Sequence, residues 1–182
     1  MLTEKNISRK SAEFSRIKKI YREAFPKKER WMFGFFEYRA SHGRADFTSY
    51  WNQNELAGFS YILRNEKCVY VFYLAVSEGQ RGKGFGSEML EMIKEKYINH
   101  IIALAIEPPV QSADNYVQRV RRKNFYIKNG LSSQTEHMEY AGEKYEIMSF
   151  GGTMTDDDYQ RLMNEWLGGF LSLIIKSELT TR

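Results

Sequence analysis

One cysteine, three prolines and three histidines are all that this chain of 182 residues holds of those three types. A lone cysteine excludes an internal disulfide and any metal cluster built on thiolates. Cys68 opens an apolar strand run, so it is expected to be a small core residue and not a nucleophile. His42, His100 and His137 share no metal-ligand spacing, and no metal is expected. Long hydrophobic runs are missing too: none approaches the roughly 20 uncharged residues that a membrane-spanning helix needs. The opening MLTEKNISRK has no apolar core of the kind a signal peptide carries. A cytoplasmic protein without a membrane partner is therefore expected. Repeats and low-complexity segments are absent. Charge of one sign is not in great excess, with 27 Lys and Arg against 23 Asp and Glu and a net charge of +4. That mild balance suits an anionic small molecule as readily as nucleic acid, and does not choose between them.

Apolar residues are plentiful: 42% of the chain is hydrophobic and 15% aromatic, which suits a soluble globular chain with a substantial core. The most informative stretch is Val69–Glu91, VYVFYLAVSEGQRGKGFGSEMLE. Its first eight residues carry no charge and read as a fully buried strand ending at Val76. Gly82, Gly84 and Gly86 then stand at alternate positions with Arg81 and Lys83 between them. From Gly86 the pattern turns helical, with Met89, Leu90, Ile93 and Tyr97 on one face. Strand, basic glycine-rich loop and helix start make a cradle for phosphate. Glycine lets the backbone N–H groups approach an anion closely, and the helix dipole adds positive potential. A Walker loop is excluded, because Phe85 and not Lys follows Gly84. A dinucleotide loop stays open: its third glycine would fall one position early, with Glu107 as the acidic ribose partner. A ligand-free glycine turn is the remaining alternative.

Around this stretch the chain alternates helices and strands. Ser11–Phe25 is an amphipathic helix with Phe14, Ile17, Ile20, Tyr21 and Ala24 on its apolar stripe, closed by Pro26. An aromatic-rich helix is expected over Glu29–Ser41, its rings packing on the sheet or lining an acceptor pocket. Ala45–Asn52 alternates like a strand with one face covered. Glu55–Leu63 and Lys67–Val76 form a hairpin. His100–Ile106 is a further buried strand, halted by Pro108 and Pro109 so that it can splay from its neighbour. Asp114–Lys128 is a helix stopped by Asn129-Gly130, and Ser133–Tyr140 and Lys144–Phe150 form a second hairpin. After the Gly151-Gly152 hinge, Thr155 caps a last helix over 155–179, whose stripe takes in Tyr159, Leu162, Met163, Trp166, Phe170 and Ile174.

Gln80-Arg81-Gly82-Lys83-Gly84-Phe85-Gly86 resembles the Q/R-x-x-G-x-G/A signature of the GNAT family of acyl-CoA N-acyltransferases. The order of elements from Ser11 to Phe150 is similar to that family's succession. The resemblance implies an α/β (mixed α+β) fold: a central mixed, mostly antiparallel sheet flanked by helices, with an extra C-terminal helix. Residues 1–152 would form the acetyltransferase domain, and 153–182 a helix packed on it or on a partner subunit in a homodimer. The implied cofactor is acetyl-CoA. Its pantetheine amides would pair with the backbone at Leu74, Ala75 and Val76, and its pyrophosphate would lie on Gln80, Arg81, Gly82, Lys83, Gly84, Phe85, Gly86 and Ser87.

Phe125–Leu131 likewise resembles the family's F-Y-x-x-x-G-F segment, whose tyrosine protonates the departing sulfur. That makes Tyr126 the implied acid, a phenol that stays neutral at pH 7. Two departures stand out. Leu131 replaces the usual Phe, and Arg119 stands where many members carry an Asn that meets the pantetheine, with Asn115 a turn upstream. Glu107, at the end of the strand beside the loop, is the candidate base, with Glu78 as the alternative. The resemblance implies transfer of acetyl to a primary amine of a small molecule or peptide by direct attack. The alternatives are a non-catalytic acyl-CoA-binding sensor or interaction protein, a nicotinamide-dinucleotide binder, and an RNA-binding module using Arg119, Arg121, Arg122 and Lys123. Nucleic acid is disfavoured, because those four cations wrap round a helix and are expected to be mostly solvated.

Overall fold

Ile17, Ile20 and Tyr21 recur at helical spacing and are buried along helix α1 (Phe14–Ala24), which ends where Phe25 turns extended ahead of Pro26. The computed structural model describes residues 1–140, 142–168 and 178–180. Contacts divide the chain into two units, Met1–Arg64 with Val71–Lys96, and Asn65–Tyr70 with Tyr97–Arg182.

In the first unit, strand β1 (Thr3–Asn6) precedes α1. A 3₁₀ turn (Lys27–Glu29), helix α2 (Phe33–Ser41), strands β2 (Asp46–Asn52) and β3 (Glu55–Arg64), most of β4 (Cys68–Val76) and helix α3 (Phe85–Lys96) follow. The strand order is β1-β2-β3-β4. β2 is antiparallel to β1, with Glu4 opposite Tyr50, and to β3, with Phe47 opposite Tyr61. One side of this sheet carries an aromatic core. The Tyr21 ring lies 5.4 Å from Phe33, 5.5 Å from Phe36 and 5.0 Å from Tyr73, and Phe36 lies 4.7 Å from Tyr61. Such tilted and edge-on contacts add to the area these rings bury. Elsewhere in the unit Leu2, Tyr50, Ala57 and Met89 cluster, with Leu74, Val76, Phe85 and Met92 against them.

β2 was expected to have one covered face, yet Phe47, Thr48, Ser49 and Tyr50 are all buried. Two of the hydroxyls find partners: Ser49 Oγ donates to Lys5 O (3.2 Å), and Tyr50 and Ser60 share a hydroxyl contact at 3.0 Å. β1, which four exposed polar residues hide from any hydrophobic pattern, supplies part of that cover. Between Tyr50 and Trp51 the register shifts, so Ala57 bulges and Gly58 faces Tyr50. A Cβ on Gly58 would overlap the Ala75 carbonyl oxygen and lie 3.1 Å from Met89 Sδ. Glycine is needed there for close approach.

The second unit holds the first residues of β4, strand β5 (Ile101–Ile106), helix α4 (Tyr116–Lys128), strands β6 (Ser132–Tyr140) and β7 (Glu143–Phe150), helix α5 (Asp156–Leu167) and strand β8 (Glu178–Thr180). The order is β4-β5-β7-β6-β8. β4 and β5 run parallel and pair only over Cys68–Tyr70 with Ile101–Ala103. The other pairs are antiparallel, with Ile102–Ile106 of β5 against Phe150–Glu146 of β7. The fold is therefore mixed α/β with a mostly antiparallel sheet flanked by helices, as the sequence implied. Cys68 is fully buried, and burial pushes its thiol up to about 11, as befits a core residue.

α5 opens with a capping box, Thr155 Oγ1 accepting from the Asp158 N–H while Asp158 accepts from Thr155 N–H. Tyr159, Leu162, Met163, Trp166 and Leu167 are buried, and Tyr159 meets Tyr70 edge-on at 5.3 Å. The helix was expected to run to 179. It stops at Leu167 because Gly168 turns to φ 78°, and β8 follows further on. Phe170 and Ile174 lie outside the described residues. Among the described residues no helix is long and apolar enough to cross a membrane.

Lys67, in the turn before β4, donates to both oxygens of the buried Asp158 (2.9 and 2.7 Å). Burial pushes the Asp158 carboxyl up, but hydrogen bonds from Lys67 and Thr155 outweigh that and hold it below its ordinary 3.8. A depressed carboxyl stabilises the fold above its unfolded value, and that contribution is lost as pH falls through the folded value. Asp158→Asn should lower Tm by about 3–6 °C at pH 7. Thermal melts should show the gap to the parent protein steady down to about pH 5 and closing at and below pH 3.8. Gly58→Ala should cost about 1–3 kcal/mol in chemical denaturation, as overpacking against backbone does.

Candidate active site

β4 ends at Val76, and Ser77 N–H turns back onto Ala57 O at 2.8 Å. A single 3₁₀ turn, Glu78–Gln80, leads into the glycine loop. Gly82 and Gly84 take φ of 79° and 84°, which favours glycine, and α3 starts at Phe85. The N–H groups of Ser87 and Glu88 both reach Gly84 O. Among the described residues, no acceptor meets the N–H groups of Gly82, Lys83, Gly84, Phe85 or Gly86. A Cβ at Gly82 or Gly84 would meet nothing within 4 Å, so the space over the loop is open. Five successive unfilled donors at a helix start are the arrangement that an anion would require.

The side chains of the loop are largely used in holding it. Gln80 is buried; its Nε2 donates to Glu55, and its Oε1 accepts from Lys83 Nζ at 3.0 Å. Arg81 Nε reaches back to Val76 O at 3.4 Å. Ser87 is half-buried, and Glu78 is exposed. In β4, Leu74 and Val76 share a half-buried face with Phe72, whereas Ala75 points inward. The Trp31 ring stacks on Phe35 at 6.3 Å and meets Phe72 edge-on at 6.2 Å. Buried hydroxyls pin the segment that carries it: Tyr73 donates to Glu29 O (2.6 Å) and Tyr21 to Trp31 O (3.1 Å). The aromatic segment thus divides its work. Phe33 and Phe36 are core, while Trp31 and Phe35 stay half-buried and Tyr38 is exposed.

In the second unit, Glu107 sits just past β5 with only 8% of its side chain exposed. Arg119 Nη2 donates to its Oε1 at 2.9 Å; Arg122 Nη1 and Asn115 Nδ2 donate to its Oε2 at 3.4 and 3.3 Å. Arg119 also donates from Nε to Asn115 Oδ1 (2.7 Å) and from Nη1 to Pro108 O (3.1 Å). Lys123 pairs with Glu146 at 2.7 Å, which leaves Arg121 as the exposed member of the basic quartet. The quartet was expected to be mostly solvated. Three of its cations are instead held by carboxylates.

Tyr126 follows one turn after Arg122 on the same stripe of α4 and is buried. Burial pushes its phenol up to about 12, with the Arg122 guanidinium pulling the other way. The hydroxyl makes no hydrogen bond with the described residues, so a neutral donor is available there. Asn129 and Leu131 N–H groups close the helix on Tyr126 O at 3.1 Å each, and Gly130 takes φ 82°. The pairing of Arg122 with Glu107 was not foreseen from the sequence, which set Arg122 in a solvated quartet. The helical spacing of Arg122 from Asn115, Arg119 and Tyr126 was the available signal.

The sequence model of the acetyltransferase (GNAT) family matches residues 14–121. No curated protein sequence matches the chain. Among solved structures, similarity extends to a protein assigned to the GNAT family of acetyltransferases from Bacteroides thetaiotaomicron, with TM-score 0.72, 19% identity, and 90% of this chain and 94% of that one covered. An aminoglycoside 6′-N-acetyltransferase complexed with coenzyme A gives TM-score 0.63 at 13% identity, covering 81% and 96%. The ribosomal-protein-S18-alanine N-acetyltransferase from Escherichia coli gives 0.58 at 18%, covering 82% and 93%. At such identities these likenesses speak to the fold.

Proposed function

Because the chain belongs to the acetyltransferase (GNAT) family, we propose that it moves an acetyl group from acetyl-CoA to a primary amine. The observation that carries this is the run of unfilled N–H groups from Gly82 to Gly86 at the start of α3, in a chain matched by that family's model. The run takes the pyrophosphate of coenzyme A, and α3 adds its dipole. The backbone of Leu74 and Val76, on the half-buried face of β4, pairs with the pantetheine amides as an added strand would.

The neutral amine attacks the acetyl carbonyl carbon, and a C–N bond forms as the C–S bond breaks. Tyr126 gives its phenolic proton to the leaving sulfur, and the proton shed by the nitrogen restores the phenol through solvent. A phenol pushed up to about 12 stays protonated throughout the physiological range, as this role requires. The half-buried rings of Trp31, Phe35 and Phe72 favour an acceptor with an apolar portion beside its amine.

Calorimetric titration should show micromolar binding of acetyl-CoA and none of NAD at equal concentrations. Gly84→Val forces a β-branched residue to positive φ and should abolish that binding; NAD binding, or an undiminished acetyl-CoA isotherm in the variant, would remove the loop from the site. Tyr126→Phe should lower kcat by about 10²-fold in a screen of amines read by release of coenzyme A thiol, with acetyl-CoA affinity unchanged. A protein that binds acetyl-CoA but releases no thiol with any amine would instead be a sensor.

A further inference from the structure

We propose that Glu107 is a positioning residue: it ties α4 to the end of β5 through Arg119, Arg122 and Asn115 and so sets where that helix presents Tyr126. The proposal rests on the reading of Tyr126 as the acid, and it gives Glu107 a different task from that of a base.

Both oxygens of Glu107 are already taken. Oε1 accepts from Arg119, and Oε2 from Arg122 and Asn115. To lift a proton from an acceptor, the carboxylate would have to surrender part of a buried network, leaving two guanidiniums short of their counter-charge. As an anchor, by contrast, it is well made. A carboxylate this deeply buried is costly unless paired, so the three donors must stay where they are. They lie on one stripe of α4, and Asn115, Arg119, Arg122 and Tyr126 follow one another at helical spacing along it. A helix whose inner stripe is fixed at three successive turns can neither rotate nor slide, and Tyr126 is the next residue on that stripe.

Arg119 strengthens the tie by also donating to Pro108 O, so the clamp grips the backbone after β5 as well as the carboxylate. Lys123, on the flank of the helix, adds a second tether to Glu146 of β7. Tyr126 itself makes no hydrogen bond from its hydroxyl to the described residues, so nothing else on its side chain fixes the phenol's direction. Ring packing on Phe125 (5.0 Å) and the set of the helix must do so. The Arg119 guanidinium is turned to Glu107.

The test uses the full chain labelled with ¹³Cζ-tyrosine, the Tyr126 signal being assigned by its loss in Tyr126→Phe. Glu107→Ala should shift that signal and speed hydrogen exchange over Tyr116–Lys128. Glu107→Gln keeps an oxygen for Arg119 and should stay closer to the parent in both. An unmoved Tyr126 signal in a folded Glu107→Ala protein overturns the proposal, whatever happens to the rate. In the thiol-release assay, a positioning role makes Gln milder than Ala. It also makes Glu107→Ala cost less than about 2-fold once Tyr126 is already Phe, because the two act through one group. Equal losses for Gln and Ala that multiply with Tyr126→Phe would show Glu107 to be a base. A Tyr126→Phe protein with undiminished rate would remove Tyr126 as acid, while the spectroscopic result on the clamp would stand by itself.

Discussion

An uncharged strand must be covered on both faces, and much of this chain is the answer to that demand made by β4. Its residues Cys68–Val71 are all buried, those from Phe72 to Val76 alternate between half-buried and buried, and the strand belongs in part to each of the two units. Aromatic rings from α1 and α2 reach the Tyr73 side in the first unit, and Tyr159 of α5 reaches Tyr70 in the second. Where β4 ends, its last carbonyls and the following glycines leave the sheet for a turn that no side chain fills. The glycine loop begins where the covering stops.

Most of the elements could be read from their periodicity. α1, the β3–β4 hairpin, α3, β5, α4 and the β6–β7 hairpin fall within a few residues of where their apolar spacing, glycines and prolines put them. What could not be read is instructive. β1 consists of Thr, Glu, Lys and Asn, all exposed, so it has no apolar rhythm, and only its pairing with β2 makes it a strand. β2 reads as half-covered because Thr48 and Ser49 are polar, yet a hydroxyl that finds a partner, as Ser49 does at Lys5 O, is readily buried. The last helix ends early because Gly168 adopts a left-handed turn that the preceding apolar stripe does not announce.

The conformation of the candidate loop was legible too. Glycine at alternate positions beside two basic residues points to a turn of bare backbone, and Gly82 and Gly84 do take positive φ. The environment of Glu107 was not legible, because its partners lie in a separate element and their charges, read along the sequence, look like a solvated face. A charge's role depends on what the helix faces, and composition carries no record of facing. The likeness to solved acetyltransferases at 13–19% identity makes the same point, as the fold persists while most side chains differ.

Cys68 is the one thiol of the chain, and it is fully enclosed at the start of β4. With its pKa pushed up to about 11, the native protein offers no thiolate to an aromatic disulfide. Each labelling event therefore records a moment when the first turn of the strand shared by both units has come open. The chain carries its own clock for local unfolding, placed by nature at the element on which both units are built.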